Sequence, residues 1–158
     1  MTTLRINAIA PDVCKQLREC DDAGQPPVLS VDETGGAPLR CCLTRALPGD
    51  RIALVSYAPL HRWAAETGAE PGPYDERGPV FLHAEECTGP AEGWPTGFHT
   101  GARVLRAYDR EGRILRGVPV EPETAEAAAV ELLGDQEVAV VHVRALAFGC
   151  FMHEVGRA

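Results

Sequence analysis

The chain has 158 residues, 23 acidic against 15 basic, and a formal charge of −8 at pH 7. That length suits a single domain, residues 1–158, able to bury a core without disulfides or metal, and 45% apolar with 24% charged residues excludes disordered and fibrous architectures. The negative field repels phosphate backbones and anionic lipid, which argues against nucleic acid and membrane as partners.

In chain order, LRINAI reads as a short first strand. PDVCKQLRECD follows as an amphipathic helix with Pro11 at its first position and Val13, Leu17 and Cys20 at helical spacing. Cys14 and Cys20 are expected to pack against the core. DDAGQPP ends that helix, and VLSVDE reads as a strand before the ETGGAP turn. LRCCLT and RIALVSYA are expected as two further strands joined across RALPGD, whose Pro-Gly pair suits a turn. From Ala58 to Pro79 glycine, proline and charge dominate, with one short helical turn around Trp63. VFLHA is a strand, and ECTGPAEGWPTGFHTG is a second long irregular stretch. ARVLRAYD and RILRGVPV flank the turn DREG as a hairpin. PETAEAAAVELLG is a helix from Pro122 to the stop at Gly134, and EVAVVHVRA and GCFMHEV close the chain as strands that bend near Phe148-Gly149. The class is α+β: a largely antiparallel or mixed sheet, two main helices and two long loops.

Long irregular loops in a compact domain are often binding loops or lids. These two lie on either side of VFLHA and carry Trp63, Tyr74, Arg77, Cys87, Trp94, Phe98 and His99. Aromatic surface mixed with a few acids, bases and a thiol is what lines small-molecule pockets. His83, at the junction between the loops, has two readings. It is the polar end of a core strand, bonded to a backbone carbonyl or to Glu85, or it is a base that raises the thiolate fraction of Cys87, with Tyr74 as proton donor. His142, on one strand face with Val138, Val140 and Arg144, reads as structural.

No membrane-spanning run occurs: VAVVHV is six residues where a helix would need roughly 20. The first residues lack the apolar segment of a secretory signal, so the expected compartment is the cytoplasm, where six cysteines stay reduced. They read first as small buried hydrophobes, then as metal ligands or reactive thiols. No C-x-x-C pair, phosphate-cradling loop or dinucleotide fingerprint is present, so no motif assigns a cofactor. If residues 83 to 87 were extended, His83 and Cys87 would lie roughly 13 Å apart, at about 3.3 Å per residue, and they converge only if the chain turns near Glu85-Glu86. In a strand Cys41 and Cys42 point to opposite faces, one packed in the core and the other part-exposed. Cys150 and His153 are separated by the same parity.

Several segments together resemble a bacterial domain-of-unknown-function family, number 1203: LRCCLTRALPGDRIALVSYAP, GPYDERGPVFLHAEEC, VLRAYDREGRIL and VHVRALAFGCFMHEVGR. The likeness runs from about Arg40 to Arg157 and implies a soluble one-domain bacterial protein, with no reaction, cofactor or substrate attached. Family-like residues stand at Arg40, Cys42, Pro48, Gly49, Tyr57, Pro73, Tyr74, Gly78, Pro79, Gly149 and Cys150. The chain departs at Phe151, where many family members carry a tyrosine. The expectation is a small-molecule site, with His83, Cys87 and Tyr74 in a catalytic role and Arg40, Cys42, Trp63, Arg77, Trp94, Phe98 and His99 in binding. The alternatives are a non-catalytic binding module and a thiol redox switch.

Overall fold

A computed structural model describes residues 2–158. The described residues divide into two compact units, one of residues 2–7, 58–76 and 99–158, the other of residues 8–57 and 77–98. Each is built on a five-stranded sheet, and the architecture is α+β.

The first unit contains strands β1 (Leu4–Asn7), β7 (Arg103–Tyr108), β8 (Ile114–Val120), β9 (Val140–Ala145) and β10 (Phe151–Arg157), with helices α2 (Pro59–Thr67) and α3 (Pro122–Leu133). Its sheet is antiparallel in the order β1-β10-β9-β7-β8. Alternation sends Leu105, Ala107, Val141 and Val143 to one face, where they are fully buried beside the α3 stripe of Ala125, Ala129 and Leu133. On α2, Leu60 packs with Tyr108 and Val140, and Trp63 covers them.

The second unit contains α1 (Pro11–Glu19), β2 (Val28–Asp32), β3 (Pro38–Leu39), β4 (Thr44–Arg45), β5 (Asp50–Tyr57) and β6 (Gly78–His83), in the sheet order β2-β5-β6-β3-β4. All pairings are antiparallel except β3 with β6, which makes this sheet mixed. Helix α1 lays Cys14 and Leu17 on β5. Burying a leucine side chain completely, as here, is worth about 1.5–3 kcal/mol.

Four expectations need correction. There are three α-helices among the described residues, because the segment around Trp63 is a nine-residue helix started by Pro59 and stopped by Gly68 in the left-handed conformation at φ 79°. LRCCLT is not one strand. Residues 40–43 form a turn between the two-residue strands β3 and β4, closed by the Leu43 N–H donating to Leu39 O at 2.9 Å with Leu43 at φ 56°. Apolar content without alternation was a buried turn, and both Cys41 and Cys42 are buried in it. Cys20 is exposed, because α1 ends at Glu19 and Cys20 is already extended.

Candidate metal centre

The parallel pairing of β3 with β6 fixes the site. Leu39 lies opposite Phe81, and the Arg40 N–H donates to Phe81 O at 2.9 Å. Two residues further along both chains, Cys41 arrives beside His83, and the His83 backbone N–H donates to Cys41 Sγ at 3.3 Å. The turn itself is tied down by the Ile9 N–H on Arg40 O and by the Arg40 guanidinium on Pro38 O at 2.6 Å. The strand end is held from α1, where Arg18 Nε donates to His83 O at 2.9 Å.

Directly after His83 the chain bends at Ala84-Glu85. The bend is held by the Ala84 N–H on Arg51 O and by the ion pair of Arg51 with Glu85. It returns Cys87 to the histidine. The ligand atoms of Cys41, Cys42, His83 and Cys87 all lie within 4.8 Å of one another. Donors around a tetrahedral zinc with bonds of about 2.3 Å sit roughly 3.8 Å apart, so a contraction of about 1 Å or less brings these four into coordination distance.

The electrostatics suit a thiolate cluster. Cys42 is lowered to about 5, first by the hydrogen bond from the Cys41 thiol and then by the Thr44 hydroxyl, 3.0 Å from its sulfur. Cys41 is raised by the same contact and by burial. Cys14 is pushed up to about 11 by burial, and its thiol donates to Ile9 O. Its proton remains on sulfur, as befits a core residue.

Beside the cluster lies a cavity of about 360 Å³, walled by Leu43, Pro90, Trp94, Pro95 and Phe98, with Thr44, Arg45 and Glu92 as polar edges. Of the four clustered residues, only Cys42 lines it. Arg45 spans one wall, with Nη2 donating to Phe98 O at 2.8 Å and the guanidinium 5.7 Å from the Phe98 ring centre.

Of the residues expected at a site, His83, Cys87 and Cys42 meet in the cluster, and Trp94 and Phe98 line the cavity. Arg40 holds the cysteine turn, and Arg77 donates from Nη1 to Asp22 O in the same unit. Tyr74, Trp63 and His99 belong to the other unit. Tyr74 is 40% exposed on a 3-10 turn, Gly72–Tyr74, and Trp63 packs on the Leu60-Tyr108-Val140 core. His99 is buried. Its Nδ1 accepts from Arg103 Nε at 3.0 Å, so its Nε2 carries the proton given to His153 Nε2 at 2.8 Å. His142, read as structural, is fully buried.

Cys41, Thr44 and Arg45 were absent from the expected site. The signal for Cys41 was the Cys-Cys pair itself, which the assumption of an extended chain had split between two faces.

No curated protein and no solved structure matches the chain. A family model does match, over residues 36–157, a span that contains the cysteine turn, β6, the bend and every residue of the cavity wall. On that match the chain belongs to the family described as Protein of unknown function (DUF1203).

Proposed function

We propose that this is a cytoplasmic metal-binding protein that holds one zinc-class ion through Cys41, Cys42, His83 and Cys87, next to a cavity that takes a small organic molecule. The observation that carries the reading is the convergence of three sulfurs and one imidazole within 4.8 Å from three separate stretches of chain. Soft thiolates with one imidazole select zinc over magnesium or calcium, which take oxygen donors. The His83 N–H on Cys41 and the Thr44 hydroxyl beside Cys42 are the outer contacts that orient sulfur ligands and offset their charge. The ion would clamp the cysteine turn to the end of β6 and to the returning loop.

The small-molecule part rests on the cavity. Its volume falls in the range of ligand sites, and Trp94 and Phe98 supply the flat apolar surface such sites use. In this reading His83 and Cys87 act as ligands to the ion, and Tyr74 takes no part in the centre.

Elemental analysis of the untagged protein, purified under reducing conditions from zinc-supplemented cells, tests the proposal. One equivalent of metal per chain is expected, and cobalt added to the reduced apoprotein gives the intense sulfur-to-metal charge-transfer band of a thiolate site. Substoichiometric metal together with no cobalt band ends the reading.

A further inference from the structure

We infer that Cys42, once held by the metal, is a nucleophile toward small uncharged α,β-unsaturated carbonyl compounds that enter the cavity. The inference rests on the metal centre proposed above. Its own ground is geometric: four side chains make the cluster, and only Cys42 also forms part of the cavity wall. A ligand in the cavity therefore meets one cysteine of the centre and not the other two.

A thiolate bound to a divalent cation carries no proton, so it is available to attack without a separate base. The walls select the partner. Leu43, Pro90, Pro95, Trp94 and Phe98 favour a compact, largely apolar body, and Glu92 at the rim disfavours an anion. Arg45 and Thr44 place a guanidinium and a hydroxyl on the same wall, donors suited to the carbonyl oxygen of the acceptor. In the step, the Cys42 sulfur pair forms a bond to the β-carbon. The carbon–carbon π pair moves to the α-carbon and the carbonyl oxygen, and the α-carbon takes a proton from water. The product is a thioether, with no change of oxidation state at the metal. A thioether binds zinc far more weakly than a thiolate, so addition removes one ligand and loosens the clamp on the turn.

The probe is N-ethylmaleimide, itself an unsaturated carbonyl compound, applied in limiting amount to the metal-loaded full chain, with peptide mapping by mass spectrometry. Among the three clustered cysteines, Cys42 is expected to be modified first, at least about tenfold faster than Cys41 or Cys87, with metal released in step. Gly97 lines the cavity and has nothing within 4 Å of the position of an added Cβ. The Gly97→Trp variant is therefore expected to slow Cys42 labelling while leaving that of the exposed Cys20 unchanged. Metal content is measured before any reagent is added, so a chain without metal fails the underlying reading at that point. A metal-loaded chain that labels Cys41 or Cys87 as fast as Cys42, or in which Gly97→Trp changes nothing, overturns the inference and leaves the centre standing.

Discussion

At the scale of single residues, the four clustered side chains differ in what surrounds them. Cys41 and Cys42 are buried in the turn, whereas His83 and Cys87 are part-exposed. Cys87 follows the bend, and its placement depends on the loop more than on the core. Cys87→Ser therefore separates a metal role from a packing role. It is expected to lower zinc affinity by more than about hundredfold, measured by competition with a chromophoric chelator, while the apoprotein stays folded. Thr44→Val removes only the hydroxyl beside the Cys42 sulfur and is expected to cost about tenfold. Unchanged affinity in Cys87→Ser removes it from the ligand set. At this scale His83, Cys87, Trp94 and Phe98 stood out as chemistry-bearing types at and after the end of one strand, and Cys42 as half of a Cys-Cys pair well before it. The place of Cys41 beside them was not legible, because face parity holds for an extended chain and gives the wrong partner wherever a turn intervenes.

At the scale of elements, a second turn, residues 33–37 between β2 and β3, is fastened to the chain that follows the cysteine turn and β4. The Asp32 carboxylate accepts from the N–H groups of Gly35 and Ala37, each at 3.0 Å. The Gly36 N–H donates to Ala46 O at 2.8 Å, tying this turn to the chain that follows β4. Gly35 has φ +77°, and a Cβ there would lie 2.9 Å from Ala46 O and from Pro48. Gly36, at φ +103°, faces open space. Gly35→Ala is thus expected to destabilise by about 2–4 kcal/mol, and Gly36→Ala by about 1–2 kcal/mol from backbone strain alone. Chemical denaturation of the two variants side by side checks the order. Equal losses would mean that the close approach at Gly35 is relieved by movement of the loop. Most strands and two of the three helices could be read from period and punctuation. Helix α2 could not, although Pro59 and Gly68 mark its ends, because the glycines and prolines downstream gave its whole neighbourhood the composition of a loop.

At the scale of the molecule, the chain passes between its two units four times, at 7–8, 57–58, 76–77 and 98–99. No linker tract marks these passages, so composition alone showed no boundary. Each unit carries one of the two tryptophans, Trp63 in the first and Trp94 in the second, and fluorescence of Trp94→Phe reports the first alone. That unit contains the groups that set its response to acid. Among the described residues His142 has no hydrogen-bond partner at either ring nitrogen, and it is lowered to about 3. Burial is the main cause, with the positive charges of Arg144 and Arg106 next, while Tyr108 and Phe151 pack against the ring. His153 is lowered to about 4, again chiefly by burial. Both are neutral when folded and protonate near 6.5 when unfolded. Between those values the unfolded chain binds more protons, so the stability they confer is complete above pH 6.5 and is lost as pH falls toward 4. At pH 5 each costs about 2 kcal/mol relative to pH 8, a large part of the total for a small domain. Glu154, whose Oε1 is 3.9 Å from His142 Nε2, works in the opposite sense. Burial raises its carboxyl, so it favours the folded state as pH falls toward its unfolded value and offsets part of the loss. The urea midpoint followed through Trp63 is therefore expected to drop steeply from pH 7 to pH 5, and His142→Leu, which leaves no unpartnered nitrogen, to remove about half of that drop. A midpoint equally steep in His142→Leu would show that the acid response arises from groups other than this histidine.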